Sequence, residues 1–162
     1  MCDIGLNRPR ISLMRIRFAL IALGLAFAAP ALAATWPGQP TANPPKLQQP
    51  SPPPAWIETH TRSSWLAYSS YCWKTTCADF LPPASRTDLP RVRLMRGASV
   101  RIHFAFLPRD ARVTLISAHA AKRVQLKRAR IVEWKPSAPG VAVIETHAAA
   151  GSASYTARIV LT

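Results

Sequence analysis

Four runs in the middle of the chain alternate apolar and polar residues with a period of two. Val92 and Leu94 alternate with Arg91 and Arg93. Val100, Ile102, Phe104 and Phe106 alternate with Arg101, His103 and Ala105. Val113 and Leu115 alternate with Arg112 and Thr114, and Val124 and Leu126 with Arg123, Gln125 and Lys127. Successive side chains of a strand point to opposite faces, so this pattern predicts strands with one buried and one wet face, as in antiparallel sheets. Less regular runs extend the set: Trp56 to Thr59, Trp65 to Trp73, Arg123 to Glu133, Gly140 to Thr146 and Ser154 to Leu161. Turn signals separate them at Arg96-Gly97, Pro108-Arg109-Asp110, Ser137-Ala138-Pro139-Gly140 and Ala150-Gly151-Ser152. His119 to Arg130 also fits a basic helix, but a turn through Ala120-Ala121-Lys122 followed by a strand agrees better with the alternation on either side. The expected fold is all-β, an antiparallel β-sandwich of seven or eight strands over residues 55–162.

The first part of the chain is organised differently. Arg8, Arg10, Arg15 and Arg17 precede an apolar run from Phe18 to Ala29, Pro30 breaks it, and Ala31-Leu32-Ala33 has the A-x-A form of a cleavage site. Residues 1–33 read as a helical signal peptide, with Met14 as an alternative start. An uncut membrane anchor is the competing reading, since the run is barely shorter than the ~20 residues of a spanning helix. The expected location is therefore exported, periplasmic or extracellular. Residues 34–54 hold eight of the sixteen prolines and read as a disordered, proline-rich linker.

Export changes the account of cysteine and charge. With Cys2 removed, Cys72 and Cys77 remain, and an exported pair this close reads as one disulfide. A loop this short is stabilised by about 2 kcal/mol. A redox role would need C-x-x-C, and this spacing is longer; a metal role would need partners such as His103, His119 or Met95 to converge on the pair. The chain has 21 basic and 7 acidic residues; without the four arginines and Asp3 of residues 1–33, 17 and 6 remain, a net charge of +11. Such an excess attracts polyanions.

Two stretches resemble bacterial immunoglobulin-like domains. Gly97-x-x-Val100-x-Ile102-x-Phe104 is similar to one of their early strands. Trp134-x-Pro136-x-x-Pro139-Gly140-Val141-x-Val143, with Gly151-x-Ala153-x-Tyr155-x-x-Arg158-Ile159-x-Leu161, is similar to their closing strands. Ser70-Tyr71-Cys72-Trp73, followed by Cys77 and Asp79, resembles a motif of small exported bacterial proteins of unassigned function. The resemblance implies an immunoglobulin-like sandwich. It implies no reaction, because such sandwiches host many roles.

Candidate chemistry is sparse. G-x-S-x-G, H-E-x-x-H and a glycine-rich phosphate loop are all missing from the sequence, and the acids Glu58, Asp79, Asp88, Asp110, Glu133 and Glu145 are scattered. Glu145 and His147 are two apart and fit a solvated edge. The sequence favours a non-catalytic binding or interaction module of the cell envelope, with no cofactor. A structural or accessory subunit docking to another exported protein is the alternative; a small hydrolase or metal-handling protein comes third. Arg91, Arg93, Arg101, Arg112, Arg123 and Lys127 occupy polar strand positions and are candidates to hold an anionic partner. That partner would be an envelope polymer, a lipid or another exported protein; the exported location disfavours nucleic acid. Membrane contact would come only through an uncleaved signal or surface charge. Trp65, Tyr68, Tyr71 and Trp73 are candidates for an aromatic platform, with Tyr68 expected on the opposite strand face from the other three and a tryptophan packed on the disulfide.

Overall fold

The structure is a computed structural model and describes residues 36–162. The signal peptide expected over residues 1–33 lies outside the described residues. The described residues form eleven strands rather than seven or eight: β1 (Ala55–Glu58), β2 (Ser63–Trp65), β3 (Ala67–Trp73), β4 (Thr76–Asp79), β5 (Arg91–Leu94), β6 (Val100–Phe104), β7 (Asp110–Ile116), β8 (Ala121–Gln125), β9 (Ile131–Trp134), β10 (Gly140–Ala148) and β11 (Gly151–Leu161). They form a four-stranded sheet in the order β2-β1-β6-β9. A seven-stranded sheet runs β4-β3-β11-β10-β7-β8, with β5 also on β11. Every pairing is antiparallel except β5 with β11. β3 takes the first half of β11 and β5 its last four residues.

The alternation in the sequence becomes the burial pattern. Ile57, Val100, Ile102, Phe104 and Trp134 face inward from the four-stranded sheet, and Val92, Val113, Leu115, Ile144, Tyr155 and Ile159 from the other. Fully burying one such side chain contributes about 1.5–3 kcal/mol. The two sheets share this core in a sandwich-like arrangement.

Three expectations change. Arg123 to Glu133 is not one strand. Leu126 N–H bonds to Ala111 O at 2.9 Å and Phe104 N–H to Arg130 O at 2.8 Å, so Lys127 to Arg130 cross from one sheet to the other. Trp65 to Trp73 is also split. Leu66 turns between the sheets, its N–H bonded to Ala55 O at 2.9 Å.

The third change concerns the aromatic face. Ser154 opposes Ser70 but Tyr155 opposes Tyr68, so Ser69 is an extra residue in β3. This β-bulge inverts the parity. Tyr68, Tyr71 and Trp73 all enter the core, with 4–6% exposure, while Trp65 stands on the outer face of the four-stranded sheet.

The proline-rich segment does not hang free as a linker. Pro52 O accepts from Tyr68 Oη at 2.9 Å and Pro53 O from Tyr155 Oη at 2.7 Å. Ala42 O accepts from Trp65 Nε1 at 2.6 Å, and Gly38 N–H donates to Glu58 Oε1. Proline cannot extend a ladder because it lacks an N–H, but its carbonyl still accepts. Side-chain donors from both sheets use these carbonyls, and the segment becomes a strap across the sandwich.

Candidate functional site

Cys72 and Cys77 are bonded and lie directly opposite each other in the β3–β4 hairpin, whose turn holds Lys74 at φ 53°. Both are exposed, on the outer face of the seven-stranded sheet. Trp73 and Tyr71 point the other way, so no core tryptophan packs on the bridge. His103 belongs to the outer face of the other sheet and does not converge on the pair.

The six basic candidates do not form one surface. Arg101 is on the four-stranded sheet, opposite Glu133, with its guanidinium 4.0 Å from the centre of the Trp36 ring. This cation–π contact helps hold the strap. Arg112 is engaged in the seven-stranded sheet: its Nε lies 2.8 Å from Glu145 Oε2 and its Nη2 3.2 Å from Oε1. The Arg112 hydrogen bond holds the Glu145 carboxyl below its ordinary range. Glu145 and His147 share the outer face of β10, a central strand rather than an edge. Arg123 is exposed on β8 opposite Thr114. Lys127 lines a cavity of about 530 Å3 between β8 and β9, with Leu126, Ile131 and Trp134. Glu133 lies there too and offsets the charge.

Arg91 and Arg93 are different. They project from β5 while Val92 and Leu94 enter the core. β5 forms one rim of a groove of about 450 Å3, and the β1–β2 hairpin of the other sheet forms the opposite rim. Arg62 enters from that hairpin, alongside the hydroxyl residues Thr61 and Ser64. Thr59 shapes the turn. Its Oγ1 accepts from Arg62 N–H at 3.0 Å and Thr61 N–H at 3.3 Å, and its own N–H bonds to Arg62 O at 2.7 Å.

Among the described residues no Asp or Glu side chain lines this groove. Among the described residues the three ion pairs are Arg86–Asp88, His103–Glu58 and Arg112–Glu145, none of which involves Arg62, Arg91 or Arg93. Asp88 lies nearby in sequence but makes two bonds to Arg86, which holds its carboxyl below the ordinary range. Guanidinium groups in a groove without counter-charge suit phosphate or carboxylate oxygens. Sequence reasoning found Arg91 and Arg93 by strand parity and missed Arg62. The signal was Thr59-x-Thr61-Arg62 after a strand, where a hydroxyl can close a tight turn.

A second polar cluster lies under the strap. Glu58 Oε2 and His103 Nε2 are 2.9 Å apart, and the His103 ring stacks on Trp56 at 4.6 Å. The Glu58 side chain is 2% exposed, so the pair anchors Gly38 rather than meeting solvent. No family model matches the chain, and no curated protein or solved structure matches it.

Proposed function

We propose that this protein is an exported, non-catalytic binding module of the cell envelope. In this reading an immunoglobulin-like sandwich takes an anionic partner along the groove between β5 and the β1–β2 hairpin. The observation that carries it is that, among the described residues, no Asp or Glu side chain lines the groove of about 450 Å3 that holds Arg62, Arg91 and Arg93 and also presents hydroxyl residues. Export rests on the sequence of residues 1–33, and the net charge adds long-range attraction to polyanions.

The test is retention on anionic vesicles or an anionic polymer as salt is raised. Exposed charges are screened over about 10 Å at 0.1 M salt, so retention should fall steeply with salt. Replacing Arg62, Arg91 and Arg93 together by alanine should abolish most of it. Replacing Arg112, Arg123 and Lys127 together by alanine, which removes the same formal charge, should leave most of it. Equal losses in the two variants would reduce the groove to general basicity and reject the assignment.

One observation favours an accessory subunit that docks to another exported protein. The cavity between β8 and β9 is walled by Leu126, Val132 and Trp134, and Ile131 beside it is 55% exposed.

A further inference from the structure

Beside the arginine groove lies a smaller pocket of about 240 Å3, walled by Leu94, Met95 and Ala98 and also by His60, Ser99 and Thr162. Thr59, Thr61 and Arg93 line both spaces, so the two adjoin. Among the described residues Met95 is the most exposed of the large apolar side chains, at 74%. Scattered exposed apolar residues are common on protein surfaces; one that lines a pocket beside arginines with no ion-pair partner among the described residues is more informative.

The joined space is cationic and hydroxylic at one end and apolar at the other. We propose that it binds a single-chain amphiphile with a phosphate head: the head on Arg62, Arg91 and Arg93, the tail against Leu94, Met95 and Ala98. This rests on the anionic-partner reading above and specifies its chemistry. A carboxylate offers two oxygens and one charge. A phosphate monoester offers three oxygens and close to two charges, a better complement to three guanidinium groups. The 240 Å3 pocket has room for a short alkyl tail.

The experiment is calorimetric titration of the protein with inorganic phosphate, butyl phosphate and octyl phosphate below its micellar concentration. Octyl phosphate should bind about tenfold or more tightly than butyl phosphate, because the added methylenes leave water for the pocket. Met95→Ser keeps the charge and should remove most of that chain-length gain, with retention on an anionic polymer unchanged. Arg91→Ala with Arg93→Ala should weaken octyl phosphate binding about tenfold or more. Octyl phosphate should also displace the protein from phosphatidylglycerol vesicles. Equal affinity for butyl and octyl phosphate would overturn the amphiphile proposal while leaving salt-sensitive anion binding intact. Vesicle binding that octyl phosphate fails to displace would also overturn it, in favour of attraction to a charged bilayer. Failure to bind any anion, polymer included, would remove both this proposal and the reading beneath it. All the substituted side chains are exposed, and an unchanged melting midpoint separates lost binding from lost folding.

Discussion

The hydroxyl of Tyr155 donates to the carbonyl oxygen of Pro53, 2.7 Å away and 102 residues earlier in the chain. Tyr68, whose ring centre lies 5.4 Å from that of Tyr155, does the same for Pro52. Two core tyrosines thus hold two consecutive prolines. Each Tyr→Phe change should cost about 1 kcal/mol, because the ring still packs while a sheltered carbonyl loses its donor. The rings pack together at a tilt of 41°, so the double variant need not show the sum. Urea denaturation reads both values. Unchanged midpoints would mean that water replaces the hydroxyls at no cost.

The same pair predicts how the fold responds to alkali. Burial, reinforced by Tyr71, pushes the Tyr68 phenol up to about 12. Burial, with Tyr68 beside it, raises Tyr155 as well. In the unfolded chain both ionise near pH 10. Their neutral forms therefore add stability that is fully present below about pH 10 and is lost as pH rises through 12. Unfolding free energy measured from pH 8 to 12 should bend downward above 10. The Tyr68→Phe, Tyr155→Phe double variant should bend less, and identical curves for the two proteins would contradict the assignment.

Gly151 begins β11 at φ 142°, and a Cβ there would overlap the Cys72 carbonyl oxygen of the adjacent strand. The obstruction is backbone, which cannot rotate away. Gly151→Ala should destabilise by about 1–3 kcal/mol, the range for forced overpacking. Thermal melting checks it, with Gly97→Ala for comparison: Gly97 also has positive φ, at 81°, but its nearest neighbour is the flexible end of Lys135.

Reducing the Cys72–Cys77 bond should cost about 2 kcal/mol, the chain-entropy value for so short a loop. Both sulfurs belong to exposed residues, so reductant needs no prior unfolding. The hairpin is also held by its ladder, and Phe80 N–H bonds to Ser69 O at 3.0 Å beyond it. The reduced protein should therefore stay folded, with a lower melting midpoint in reductant. Collapse of the whole fold on reduction would show that the bridge does more than pin a turn.

What could be read from the sequence followed from parity. Val92/Leu94, Val100/Ile102/Phe104 and Val113/Leu115 each announced a strand and its buried face, because period-2 burial depends only on local backbone geometry. Parity fails where a residue is inserted. Ser69 adds one to β3, and from there Tyr68 and Tyr71 share a face that alternation denies them. Parity is equally silent about which sheet receives a strand. Arg91 and Arg101 look alike in sequence, yet one lines an open groove and the other stacks on Trp36. The packing of the strap was also hidden. Its bonds join proline carbonyls to tyrosines up to 102 residues away, and nothing in the composition of residues 36–54 marks which carbonyls are used.

The groove has one rim in each sheet, with Arg62 on the first and Arg91 and Arg93 on the second. No single strand sets its width; the spacing between layers does. Whatever bridges those side chains ties the layers together like a stitch through two plies of cloth. Occupancy and sliding of the sheets would then be opposing events: a partner bound there would support the fold mechanically while the fold held the partner.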